Sequence, residues 1–130
     1  MYTIVRFPFM AKALIADDNQ DFRILMKELL SDEMDVVEVV SDGEELLRAL
    51  QKHEVDVVVT DYMMPRLNGI QAMSEARSYG YKIPFILVST ASLPGVELQR
   101  IGASAFVDKN TLTRDLVKAV RQVLTCIGTA

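Results

Sequence analysis

A single cysteine, Cys126, leaves the chain without an intrachain disulfide and suits a reducing compartment. Long apolar runs are missing as well, since none approaches the roughly 20 residues that span a bilayer. The opening stretch from Met1 to Phe9 holds one arginine and one proline and is too short for a signal peptide. No block of like charge stands out, and the formal net charge is −4. That argues against direct nucleic-acid binding, because phosphate backbones require a basic stripe. Repeats and low-complexity linkers are absent. The one histidine, His53, stands among charged residues, where it suits a helix C-terminus better than a metal site or a proton relay. These absences point to the cytoplasm, with no membrane and no direct nucleic-acid contact.

What remains is 130 residues, half of them hydrophobic and a quarter charged, enough for one ordinary core and not for two. Short apolar runs alternate with helical patterns five times, as expected of parallel strands buried on both faces. Strands are expected at about Lys12 to Ala16, Asp35 to Val40, Val55 to Thr60, Pro84 to Val88 and Ala105 to Val107. The first helix repeats Phe22, Leu25, Met26, Leu29 and Leu30 at the spacing of one buried face. Ser41-Asp42-Gly43 turns the chain into a second helix, with Glu44 and Glu45 in its first turn, where the dipole favours them. A third follows Asn68-Gly69, with Gly69 allowing the turn, and runs to about Ser78. A short fourth helix follows Pro94-Gly95 and ends near Gly102. Thr113 is the expected N-cap of a fifth, which buries Leu116, Val117, Val120, Leu124 and Ile127. Five such units make a doubly wound α/β sheet with helices on both faces, whereas an eight-stranded barrel needs about twice the length. Met10 directly precedes the first strand, so residues 1–9 read as an N-terminal extension and 10–127 as the domain.

Chemistry in such a sheet collects beyond the carboxyl ends of the strands. Asp17-Asp18 ends the first strand, Asp61 the third and Ser89-Thr90 the fourth, and Lys109 follows the fifth. Three carboxylates repel one another unless a cation or proton intervenes. Mg²⁺ resolves that conflict with oxygen ligands and retained waters; Asp17, Asp18, Asp61 and the backbone carbonyl of Met63 form the expected set. Lys109 adds a mobile point charge for a phosphoryl oxygen, and Ser89 a hydroxyl donor. Phosphoryl transfer asks for positioning and charge neutralisation, with Asp61 as the nucleophile.

On these residues the chain resembles the receiver domain of two-component response regulators, over about Lys12 to Leu124. Asp17-Asp18-Asn19 with Arg23 looks like the family's acidic loop, and Asp61-Tyr62-Met63-Met64-Pro65-Arg66-Leu67-Asn68-Gly69 matches its D-x-x-M-P-x-x-x-G segment. Ser89 and Lys109 fall where the family has its hydroxyl and its lysine. The resemblance implies a chemotaxis-regulator-like, flavodoxin-like (βα)5 fold with parallel strands in the order 2-1-3-4-5. It implies that Asp61 takes phosphate from a sensor histidine kinase or a histidine phosphotransfer protein, using Mg²⁺. Ser89 and the aromatic position at Phe106 would then act as a switch on the face of the fourth helix, fifth strand and fifth helix, which binds a downstream protein. The chain would act as a monomer or a phosphorylation-promoted dimer, catalysing only its own phosphorylation and dephosphorylation. Two departures stand out. Asn110 follows Lys109 where the family usually has proline, so the intervening peptide bond is expected to be trans. Phe106 lacks the hydroxyl of the tyrosine often found there.

Plainer readings compete at each position. Asp17-Asp18 could cap the first helix, Lys109 could be a solvated surface lysine, and Ser89 a turn former. Thr90 could supply the hydroxyl if the loop register shifts by one. Met63 and Met64 read as packing residues. For the whole chain, the alternatives are an interaction module that works without phosphorylation and a receiver fragment of a longer DNA-binding regulator. A flavin carrier of similar topology would want a Gly-, Ser- and Thr-rich loop after the first strand, where Asp17-Asp18 would repel its phosphate.

Overall fold

The computed structural model describes residues 11–90 and 101–128, with side-chain surroundings through Thr125. Five parallel strands lie in the order β2-β1-β3-β4-β5, with β1 at Lys12–Ala16, β2 at Asp35–Val40, β3 at Val57–Asp61, β4 at Phe85–Ser89 and β5 at Ala105–Asp108. Helices α1 (Gln20–Ser31), α2 (Gly43–Lys52) and α3 (Gly69–Ser78) connect them, and a C-terminal helix (Leu112–Gly128) follows β5. Among the described residues no helix is long and apolar enough to cross a membrane. The expected fourth helix, the 1–9 extension and the burial of Ile127 lie outside the described residues.

The strands sort their side chains with a period of two, and each set feeds a separate core. Ala13, Ile15, Val57, Val59, Ile86 and Val88 pack with Met26 and Leu30 of α1 and with Leu112, Leu116, Val120 and Leu124 of the C-terminal helix. Leu14, Ala16, Val58 and Phe85 pack on the other face with Leu46, Ala49 and Leu50 of α2 and Ala72, Met73 and Ala76 of α3. Burial on both faces is why these strands read as continuous apolar runs. On α1 the expected stripe holds, with Met26 and Leu30 buried and Phe22, Leu25 and Leu29 half-buried against the same core.

Two local expectations are corrected, and one competing reading fails. Thr113 is exposed inside the first turn of the C-terminal helix, because a 3-10 turn at Lys109–Thr111 starts the helical path earlier. Asp108 caps that turn, its side chain accepting the Asn110 N–H at 2.8 Å. β3 starts at Val57 instead of Val55 and ends on Asp61. Asn19, not the acidic pair, caps α1 by accepting the Phe22 N–H at 3.0 Å.

Gly69 is needed for space. It opens α3 beneath a capping box of Asn68 and Gln71, and its N–H donates to the Tyr62 carbonyl at 2.7 Å. A Cβ at this position would be driven into the Asp61 carbonyl oxygen. The start of α3 is thus pressed against the end of β3, which fixes the loop that leaves Asp61. The Gly69→Ala protein is therefore expected to lose roughly 1–3 kcal/mol of stability, the usual cost of forcing atoms into a packed site. Urea denaturation of the two proteins checks this, with an unchanged midpoint as the contrary result.

Candidate functional site

The strand order reverses between β1 and β3, and the crevice beyond their carboxyl ends is where a doubly wound sheet places its ligands. Asp17 follows β1, continuing the ladder through its N–H to the Val40 carbonyl at 3.1 Å. Asp61 is the last residue of β3, and the Tyr62 N–H carries that ladder one step further to Val88. One carboxylate oxygen from each of Asp17, Asp18 and Asp61 lies within 4.8 Å of the others. Asp17 is fully buried and Asp61 nearly so, whereas Asp18 is exposed.

Lys109 reaches into this cluster from the loop after β5. Its side chain is only 7% exposed, with Nζ 2.8 Å from Asp17 Oδ2 and 3.3 Å from Asp61 Oδ2. The surface-lysine reading fails on that burial. Below the ammonium lies the ring of Phe22, its centroid 4.2 Å from Nζ. Asp17 is further tied down by the Asn19 N–H on Oδ1 at 2.9 Å and by Arg23 donating to its carbonyl at 2.9 Å. Its Oδ2 meets the lysine as an ion pair and has no hydrogen-bond partner, although it is buried. One ammonium shared between Asp17 and Asp61 leaves part of the buried negative charge uncompensated. A hard divalent cation would satisfy it, and the all-oxygen donor set fits Mg²⁺.

Ser89 ends β4, buried, one residue past Val88, which pairs in register with Asp61. Thr90, the competing hydroxyl, is exposed. Phe106 is half-buried in β5 beside Leu87. The Lys109-Asn110 peptide is trans, as expected from the missing proline. Met64 is buried against the Thr60 hydroxyl, which lies 3.8 Å from its sulfur, but Met63 is 62% exposed and is no packing residue. His53 ends α2, with Nε2 2.9 Å from Glu38 Oε1, away from the cluster.

Two contacts escaped sequence reasoning. The sequence pattern gives Phe22 only a place in the buried stripe of α1. The other is a latch on the loop after β3: Arg66 sits at φ 68 and donates from Nε and a terminal nitrogen to Asp42 Oδ2 at 3.0 and 2.8 Å. Asp42 is buried, and its Oδ1 caps α2 through the Glu45 N–H at 2.8 Å. Burial pushes the Asp42 carboxyl up, but the Glu45 N–H and the Arg66 guanidinium outweigh it and hold the pKa below the ordinary value. A spacing of 24 residues between partners carries no sequence signal.

Asp61 is pushed up to about 6, first by burial and then by the Asp17 charge, with Lys109 opposing both. The folded chain therefore holds the Asp61 proton more tightly than the unfolded chain, whose value is 3.8. Charging Asp61 destabilises the fold, so this contribution improves as pH falls from 6 towards 4. Replacement by asparagine should raise the melting temperature above pH 6, by up to about 3 kcal/mol of stability, with the gap closing near pH 4. Melting curves of wild type and Asp61→Asn across that range check the sign; a gap that widens in acid would contradict it.

Comparison with known proteins agrees with this geometry. The family model for the response regulator receiver domain matches residues 13–121. The transcriptional regulatory protein CpxR of Klebsiella pneumoniae is 37% identical over 120 residues, covering 88% of this chain and 50% of that protein. The chain thus spans about half the length of that curated relative. Among solved structures, the signal receiver domain of the response regulator NarL from Mycobacterium tuberculosis superposes with a TM-score of 0.83 at 29% identity, covering 90% of this chain and 98% of the other. The chemotaxis response regulator CheY4 of Vibrio cholerae gives 0.80 at 30% identity, covering 89% and 100%.

Proposed function

This chain belongs to the response regulator receiver domain family, and we propose that it is a phospho-accepting signalling switch of the cytoplasm with Asp61 as the acceptor. The observation that carries the reading is the nearly buried Asp61 carboxylate, set beside Asp17 and Asp18 with the Lys109 ammonium 3.3 Å away. A carboxylate oxygen of Asp61 attacks phosphorus of a phosphohistidine on a sensor kinase or phosphotransfer protein. A P–O bond forms as the P–N bond breaks, and the leaving imidazole nitrogen regains a proton. Lys109 is already in place to meet the charge of the incoming phosphoryl oxygens, and the Ser89 hydroxyl donates to one of them after transfer.

Asp17, Asp18, Asp61 and the Met63 carbonyl would hold Mg²⁺, which when bound supplies charge neutralisation for the phosphoryl group. The signal leaves through the edge formed by β5 and the C-terminal helix. There Phe106, Arg114, Lys118 and Gln122 line part of an open groove of about 500 Å³, taken by a downstream protein or a second copy of the chain.

Intact mass after incubation with acetyl phosphate and Mg²⁺ tests the acceptor. Wild type should gain one phosphoryl group and Asp61→Asn none; equal labelling of both would sink the assignment. The metal has its own readout, since Mg²⁺ should raise the melting temperature of the unphosphorylated protein by mass action. Asp18→Ala should remove most of that shift, and an undiminished response would move the cation elsewhere. Ser89→Ala should still take up phosphate but transmit less to the β5 edge, read by hydrogen exchange. Normal transmission in Ser89→Ala with a defect in Thr90→Ala would give the hydroxyl role to Thr90.

A further inference from the structure

Phe22 stands in the first turn of α1 and turns its ring face to the Lys109 ammonium, 4.2 Å from the centroid. The turn that carries it is fixed on both sides. Asn19 accepts the Phe22 N–H at 3.0 Å, and Arg23 donates to the Asp17 carbonyl at 2.9 Å. The ring itself rests on the core beneath α1 and the C-terminal helix. With its side chain 7% exposed, Lys109 has little room for a hydration shell. A cation in so dry a place is held by an aromatic face more firmly than at the surface. A leucine would fill the same stripe of α1 without attracting the charge, so the aromatic ring adds something that packing does not require.

Lysine has a long, flexible stem, and an ammonium can slide between neighbouring carboxylates. Asp17 and Asp61 both attract Lys109, at 2.8 and 3.3 Å. The Phe22 face bounds that motion from a third side. We propose that Phe22 is a positioning residue for Lys109, keeping the ammonium at the one point from which it meets both carboxylates before phosphate arrives. The benefit to phosphate uptake rests on the phosphoacceptor reading of Asp61; the contact itself does not.

Two readouts separate these claims. In the unphosphorylated protein the Lys109 Hε protons should be shifted upfield by the ring current, an effect lost in Phe22→Leu and kept in Phe22→Tyr. With acetyl phosphate and Mg²⁺, Phe22→Leu should take up phosphate about five-fold more slowly than wild type, and Phe22→Tyr should restore the rate. Lys109 resonances at the position of a solvated lysine in wild type would overturn the proposal. So would full-speed uptake in Phe22→Leu, or equal slowing in the leucine and tyrosine variants, which would reduce the ring to packing. A wild type that takes up no phosphate would defeat the acceptor reading, while the ring-current comparison would still decide the contact.

Discussion

Three carboxylates within 4.8 Å of one another would push the ends of β1 and β3 apart if they stood alone in a dry crevice. Lys109 relieves part of that repulsion by lying against Asp17 and Asp61 with its side chain almost fully buried. Two negative charges are met by one positive charge, and Asp18, at the solvent edge, is left over. Burial first, and then the Asp17 charge, raise the proton affinity of Asp61 despite the nearby ammonium. A site with this imbalance favours a further cation and disfavours any change that removes the lysine. The surrounding structure can be understood as what keeps that arrangement from relaxing.

The sheet supplies the first restraint. Asp17 and Asp61 are brought together because β1 and β3 are hydrogen-bonded neighbours in register, with Ala16 beside Thr60, and neither strand end can withdraw without disturbing both cores. The loops supply the second. Gly69 brings the α3 terminus onto the Asp61 carbonyl, and the Arg66 latch ties the same loop to the α2 cap. Arg66 accepts a left-handed backbone that costs on the order of 1 kcal/mol or more for a non-glycine residue. A buried acceptor at Asp42 offsets that cost, so the strain and the ion pair are parts of one device. The start of α1 does the same for the lysine: Asn19 and Arg23 both hold Asp17, and the Phe22 ring faces Nζ.

The fold was legible because its signals are local and periodic. Asp35–Val40 matches its expected strand end to end, and the α1 stripe puts Met26 and Leu30 in the core. The charged members of the cluster were legible for a related reason: each stands at or just beyond the end of an apolar run, and topology turns that position into convergence. Where boundaries failed, a short hydrogen bond won over propensity. Thr113 is a good cap by type, but Asp108 captured the Asn110 N–H and started the helical path earlier. Asn19 outcompeted the adjacent aspartates for the α1 cap because Asp17 is turned inward to its own partners. The Arg66–Asp42 latch and the Phe22–Lys109 contact were not legible. Both join distant segments, and both use residue types whose default reading, a solvated arginine or a core phenylalanine, is correct far more often.

The three carboxylates are chemically alike in the unfolded chain, so any division of roles among them must come from their surroundings. Asp17 is fully buried, with Oδ1 taken by the Asn19 N–H and Oδ2 facing Lys109. Held through Oδ1, with Oδ2 turned to the lysine, it has the fixed geometry that suits a ligand. Asp18 is exposed, where water screens its charge and blunts its nucleophilicity. Asp61 lies between these extremes. Burial makes its oxygens more basic, and a more basic carboxylate is the better nucleophile at the same reacting phosphorus. At neutral pH a group shifted to about 6 is still mostly ionised, so Asp61 gains basicity while keeping the charged form that the proposed transfer requires. A stronger shift would leave Asp61 protonated at neutral pH and unable to serve as the proposed acceptor. The lysine sets that balance, because its charge is what stops burial and Asp17 from raising Asp61 further.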